Sequence, residues 1–134
     1  MHTSTVKYIG DLRTECTHEK SQTKIVTDAP IDNNGKGSAF SPTDLVATAY
    51  ASCMITIMGV FAQTHQLKFE FAEAKVTKIM SNTPRKIEKI EIEMNLSANN
   101  WDKKTAQKFI HAAKACPIAR TLENNVEIEY SFIV

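Results

Sequence analysis

The chain has 134 residues, a length that supports one domain with a substantial core. Hydrophobic residues make up 43% of the chain, charged residues 23%, and the formal net charge is +1. This balance is typical of a soluble globular protein, and it predicts binding neither to nucleic acid nor to an anionic membrane. Three cysteines, with no signal-peptide pattern at the start, predict a cytoplasmic protein in which any disulfide is transient.

The first third of the sequence reads as short strands. The pattern predicts strands over residues 5–9, 12–17 and 23–27, with Gly10 and Asp11 at the hairpin turn between the first two. A stretch rich in Gly, Asn and Asp follows over residues 28–40. A loop of this length in a compact domain is more often functional than idle.

A long helix is predicted to begin at Ser41. Serine at the N-cap, Pro42 at the first helical position and Asp44 at the third form a recognised start signal. The helix is expected to reach about Gln63, and no charged residue occurs over residues 45–64. Polar residues interrupt this segment, so the sequence favours a helix wrapped by protein on every face over a membrane span.

The rest of the chain alternates strands and helices. Strands are predicted over residues 67–79, 87–96 and 126–134, and a helix from Asn100 or Asp102. Proline after Cys116 interrupts that helix, and a short helix over residues 117–122 is expected to follow. The apolar stripe of the longer helix comprises Ala106, Phe109, Ile110 and Ala113. The order predicts a single α+β domain over residues 1–134 with mostly antiparallel pairing.

Two cysteines lie in helical settings far apart in the sequence. Cys116 is predicted near a helix N-terminus, where unpaired N–H groups stabilise a thiolate. The alternative is a small residue chosen to fit a tight break between helices. Cys53 lies several turns inside its helix, so a reactive Cys53 requires another cation, and Arg13 is the leading candidate. An arginine in a strand is usually a surface residue, so that alternative stays open.

Other candidate residues have structural explanations. Asp44 is sufficiently explained by the capping box. Cys16 and His18 share a strand face, but two residues do not make a metal site. The pair is therefore interpreted as structural, or Cys16 as an incidental oxidisable thiol. No metal and no cofactor is predicted.

The two cysteine segments together resemble the OsmC/Ohr family, the osmotically inducible and organic hydroperoxide resistance proteins. Residues 41–53, SPTDLVATAYASC, are similar to the first cysteine signature, and Cys116-Pro-Ile-Ala to the second. The element order agrees over essentially the whole chain. The resemblance implies an intertwined homodimer, with antiparallel sheets from both chains wrapped around central helices.

The resemblance also implies a mechanism. Cys53 matches the peroxidatic cysteine, which reacts with an organic hydroperoxide and becomes a sulfenic acid. Cys116 matches the resolving cysteine, which forms a disulfide that a dithiol reductant later opens. Arg13 is similar to the family arginine that stabilises the thiolate. The alternative from another class is a non-catalytic small-molecule binder or redox sensor that kept the fold and the thiols.

One position departs from the family pattern. The peroxidases have a glutamate that pairs with the arginine, whereas the matching residue here is Thr43. A hydroxyl does not hold a guanidinium as a carboxylate does. Either Asp44 takes this role from a neighbouring helical angle, or Arg13 is held differently. The pattern is similar to the divergent OsmC-like branch of the family.

Overall fold

The structure, a computed structural model, describes residues 1–134. Its elements follow the predicted order of three strands, a long helix, two strands, two helices and a final strand. The α+β prediction is confirmed. The residues form two compact units, 1–46 and 47–134. The prediction of a single domain over residues 1–134 stays a prediction.

The first unit contains an antiparallel sheet of β1 (Ser4–Gly10), β2 (Arg13–His18) and β3 (Lys24–Asp28), in that order. The two central residues of the first turn are Asp11 and Leu12, with φ of 55° and 62°. Two positive φ values match the right-handed twist of a hairpin. The predicted turn position was therefore wrong by one residue, because Gly10 still pairs with Arg13.

The loop after β3 folds back on the end of that strand. A Cβ on Gly35 would lie 1.7 Å from the Ala29 carbonyl oxygen, so only glycine fits there. The amide of Gly37 donates to the same carbonyl at 3.2 Å. These close approaches place Ser38 beside Asp28, whose carboxylate accepts a hydrogen bond from the Ser38 amide at 3.0 Å.

Helix α1 (Pro42–His65) begins with the predicted capping box. The Asp44 amide donates to Ser41 Oγ at 3.1 Å, and the Ser41 amide donates to Asp44 Oδ2 at 3.0 Å. By length and composition α1 could cross a membrane, but core helices of soluble proteins pass the same test. Only one face of α1 is buried within this chain, since Ser52, Thr56 and Val60 are exposed.

The second unit contains the sheet β4 (Glu73–Asn82), β5 (Arg85–Asn95) and β6 (Glu127–Ile133). Strands β4 and β5 are antiparallel, whereas β6 is parallel to β5. The prediction of a strand from Leu67 was wrong, because regular pairing starts only at Glu73. The backbone amides of Glu70 and Phe71 instead donate hydrogen bonds to Asn99 Oδ1, at 3.0 and 3.2 Å.

Two helices connect β5 to β6, as a parallel pair requires. Helix α2 (Lys103–Lys114) begins at Asp102, whose carboxylate accepts from the Thr105 amide at 2.7 Å. Helix α3 (Pro117–Leu122) follows directly. Phe109 of α2 is fully buried and stacks on Trp101 with ring centroids 4.0 Å apart. This packing anchors α2 in the core, and Cys116 lies two residues beyond the end of that helix.

Candidate functional site

The structure brings together the two cysteines that the sequence singles out in helical settings. Cys53 is half-buried on α1, and Cys116 is fully buried at the break between α2 and α3. Both are free thiols; Cys116 belongs to the buried core cluster of the second unit, and Cys53 packs against that cluster. The second unit therefore contains a thiol pair that sequence spacing alone does not reveal.

Cys116 occupies the predicted N-cap of α3. Its sulfur accepts a hydrogen bond from the Ala119 amide at 3.3 Å, which stabilises a thiolate. Burial nevertheless raises the pKa of the Cys116 thiol, and the neighbouring Cys53 thiol raises it further. Burial outweighs the helix N-terminus, so Cys116 rests as a neutral thiol.

Two tyrosines belong to the same part of the second unit. Tyr50 lies one helical turn before Cys53 and is 2% exposed. Its hydroxyl is 2.7 Å from that of Tyr130 on β6. Neither tyrosine was predicted from the sequence to have a role, and only the helical spacing of Tyr50 from Cys53 could have indicated one.

Arg13 has a carboxylate neighbour within its own unit. Arg13 and Asp28 are directly paired in the register of β2 and β3. Arg13 Nε lies 4.0 Å from Asp28 Oδ2, and Arg13 Nη2 donates to Ser38 Oγ at 3.4 Å. Ser38 Oγ in turn donates to Asp28 at 2.5 Å. Asp28, which was not predicted from the sequence as a site residue, is thus the carboxylate beside the arginine.

The Asp28 carboxylate is held in its charged form. Its side chain is fully buried, yet the Ser38 hydroxyl and amide lower its pKa, with a further contribution from the Arg13 charge. The stability linked to this lowered pKa is present above the ordinary value of 3.8 and is lost as pH falls through the folded value. At neutral pH, Arg13 and Asp28 therefore form an ion pair.

The other candidates of the first unit lie at the helix start and in the sheet. Thr43 Oγ1 is 3.2 Å from Ser41 Oγ, and Asp44 completes the capping box. Cys16 is half-buried, with its sulfur 3.8 Å from Thr14 Oγ1. No group of three or more His, Cys, Asp or Glu side chains is arranged to hold a metal ion.

Comparison with known proteins identifies the family. Residues 35–131 match the family model described as OsmC-like protein. The chain belongs to the OsmC-like family. The matched segment includes both cysteine signatures, and the predicted resemblance is confirmed.

Relatives of this family agree in fold over nearly the whole chain. A protein from Psychrobacter arcticus, provisionally described as an osmotic stress induced and detoxification response protein, is 42% identical. The structural alignment covers 98% of this chain and 96% of that protein, with a TM-score of 0.92. Organic hydroperoxide resistance protein OsmC from Legionella pneumophila is 20% identical, with coverage of 100% and 98% and a TM-score of 0.78.

A further relative is also named for hydroperoxide resistance. The organic hydroperoxide resistance protein-like protein of Mycoplasma genitalium is 27% identical over 120 residues. The alignment covers 89% of this chain and 78% of that protein. This OsmC-like protein is therefore similar, over most of its length, to proteins named for hydroperoxide resistance.

Proposed function

We propose that this OsmC-like protein is a thiol peroxidase that reduces organic hydroperoxides in the cytoplasm. The placement of Cys53 and Cys116 in one core cluster of the second unit supports this proposal most directly. Cys53 attacks the O–O bond, an alcohol leaves, and Cys53 becomes a sulfenic acid. Cys116 then displaces hydroxide from that sulfur to give a disulfide, and a dithiol reductant restores both thiols.

The environments of the two thiols support this division of roles. An attacking thiol must be reached by the substrate, and Cys53 is partly exposed whereas Cys116 is fully buried. The raised pKa of Cys116 keeps it protonated and unreactive toward peroxide. Cys116 is therefore suited to react only with an oxidised sulfur already beside it.

We assign thiolate stabilisation to Arg13, with Asp28 and Ser38 as the residues that hold its guanidinium. Thr43 does not need to replace the family glutamate, because a carboxylate is already paired with Arg13. On this proposal, Asp28 supplies the carboxylate that the peroxidase pattern places at the position of Thr43. Asp44 and Thr43 then have their main roles at the start of α1.

Turnover is the test of this function. With a dithiol present, the protein is expected to reduce many equivalents of cumene hydroperoxide, and hydrogen peroxide more slowly. Turnover is measured as the hydroperoxide consumed per protein chain while the dithiol is oxidised. Oxidation of one equivalent per chain followed by arrest would instead establish a redox sensor.

One observation favours the second candidate, a non-catalytic binder or sensor. From the sequence, Met54, Ile57 and Phe40 are predicted to give the site an apolar lining that favours organic hydroperoxides, but Met54 is fully buried in the core. It packs among buried residues of the second unit and offers no surface to a substrate. Ile57 is half-buried, and Phe40 is 52% exposed. The preference for organic hydroperoxides therefore rests mainly on the relatives.

We further propose that the protein is a homodimer in which α1 contacts its partner. The exposed face of α1 carries Ser52, Thr56 and Val60 and no charge. An uncharged face of this length is typical of a helix that is covered in the assembly. In the first unit, Val6, Tyr8 and Ile25 are likewise 65%, 66% and 49% exposed on the sheet.

Light scattering at micromolar concentration is expected to give the mass of a dimer. Thr56→Lys should shift the equilibrium to monomer, because it buries an unpaired charge in the contact. Gln107→Lys, on the exposed face of α2, is the matched control and should leave the dimer intact. A stable wild-type monomer would contradict the proposal.

A further inference from the structure

A cavity of about 600 Å³ opens between the end of α1 and the side of α2. All the residues that line it belong to the second unit, and neither Cys53 nor Cys116 is among them. Phe61, its first residue on α1, lies about 12 Å beyond Cys53 along the helix axis. Cavities of this volume hold small organic molecules in many proteins. The cavity is therefore a candidate binding site separate from the thiol pair.

The floor of the cavity is apolar and continues into the core. The Phe61 ring meets the fully buried Phe109 ring edge to face, with centroids 5.0 Å apart. Phe109 stacks in turn on Trp101. Leu67 also lines the cavity, and 39% of this residue is exposed. Phe61 and Leu67 thus offer apolar surface that a ligand can cover.

The turn after α1 holds Leu67 in place. Gln66 has a φ of 54°, and the Leu67 amide donates to the Ala62 carbonyl at 2.9 Å. A left-handed residue followed by this hydrogen bond is typical of the Schellman motif, which ends a helix and reverses the chain. On the other side of Leu67, the Lys68 carbonyl accepts a hydrogen bond from Trp101 Nε1 at 3.2 Å. The apolar wall is therefore formed before a ligand binds.

The rim of the cavity is basic. On α2, Lys104, Lys108 and His111 are four and three residues apart, so their side chains share one face of the helix. Gln107 lies on the same face, and His65 lines the cavity from the last position of α1. No aspartate or glutamate lines the cavity. The cavity thus combines an apolar floor with a positive rim.

Neither lysine at the rim forms an ion pair. Lys104 also lies in the first turn of α2, where the helix dipole disfavours a cation. Both lysines act on the Asp102 carboxylate, but that group caps α2 and accepts from the Thr105 amide at 2.7 Å. An anion in the cavity would supply a partner for Lys104 and Lys108.

We propose that this cavity binds an apolar molecule with one anionic head group, the class to which medium-chain carboxylates belong. The apolar body lies on Phe61 and Leu67, and the head group lies at the rim between Lys104 and Lys108. A small anion without an apolar body gains only exposed charge contacts, which are weak. The proposal is independent of the peroxidase function, because no cysteine lines the cavity.

Titration calorimetry with probes of equal chain length tests the head group. Octanoate, below the concentration at which it forms micelles, is expected to bind saturably, with one molecule per chain. Octan-1-ol and octyltrimethylammonium should bind about tenfold more weakly or less, because they lack the negative charge. Acetate should show no measurable binding, since it lacks the apolar body. Equal affinity for the three octyl probes, or no saturable binding of octanoate, would overturn the proposal.

Lys104→Gln/Lys108→Gln removes both rim charges and keeps good helix formers on the exposed face of α2. Its affinity for octanoate should fall about tenfold, whereas its affinity for octan-1-ol should stay within about twofold of wild type. Lys20→Gln/Lys103→Gln is the matched control, because it has the same net charge and changes two exposed lysines outside the cavity. The same loss of octanoate affinity in both variants, or in neither, would contradict the proposed site.

The apolar wall and the alternative occupants are tested separately. Leu67→Ser should weaken octanoate and octan-1-ol alike, because it removes apolar contact and leaves the rim charges. Cys53→Ser should bind octanoate as wild type does, and loss of binding would place the ligand at the thiol pair instead. Light scattering of Lys104→Gln/Lys108→Gln should give the wild-type mass. A lower mass would assign the cavity to a second copy of the chain and would overturn the proposal.

Discussion

Cys53→Ser is expected to reduce hydroperoxide turnover to the rate without protein, because it removes the attacking sulfur. Cys116 should remain a free thiol after peroxide treatment, since its burial and raised pKa keep it protonated. No sulfenic acid should accumulate. Reductant-coupled turnover and dimedone trapping with mass spectrometry measure both results.

Cys116→Ser should have a different effect. Serine still accepts a hydrogen bond at the N-cap of α3, so the helix start seen in the structure is maintained. Cys53 should react once with peroxide, persist as a trappable sulfenic acid and over-oxidise with excess peroxide. Turnover that depends on the internal disulfide should cease.

The third cysteine provides the control for both variants. Cys16→Ser is expected to retain turnover, because Cys16 lies on β2 of the first unit, outside the thiol pair. The opposite assignment of roles has a clear signature. If Cys116 were the attacking thiol, dimedone would label Cys116 in Cys53→Ser and would not label Cys53 in Cys116→Ser.

Local chemistry made much of the fold predictable. Strand β5 shows alternating burial at Ile90, Ile92 and Met94, as its period-2 pattern predicts. The break before Pro117 and the N-cap at Cys116 follow from the geometry that proline imposes. These features depend on a few neighbouring residues, and sequence reasoning works best at that range.

The features that depend on distant pairing were not predictable in the same way. Tyr50 and Tyr130 are 80 residues apart, and their contact requires β6 to lie parallel to β5. The parallel pairing of β5 with β6 was not predicted, because the alternation of apolar and polar residues is the same for either strand direction. Asp28 was not identified because its pairing with Arg13 depends on the register of β2 and β3. The turn between those two strands sets that register.

Arg13→Ala is expected to slow alkylation of Cys53 by iodoacetamide at neutral pH by about tenfold, if Arg13 supplies the charge that favours the thiolate. At high pH the rates should converge, because the thiol is then ionised in both proteins. Arg13→Lys should be intermediate, since an ammonium keeps the charge but not the planar donor set. Mass spectrometry of the Cys53 peptide over time measures the rates.

Asp28→Asn extends this prediction to the residue that the structure adds. It keeps the shape of the side chain but removes the charge beside Arg13, so Cys53 alkylation should slow, though less than in Arg13→Ala. The amide that replaces the carboxylate cannot titrate, so the variant should lose less stability than wild type as pH falls below 3.8. Asp11→Asn, at the exposed hairpin turn, is the matched control and should behave as wild type. Equal alkylation rates in wild type and all of these variants at every pH would return Arg13 to a surface role, and another lysine or arginine would then have to activate Cys53.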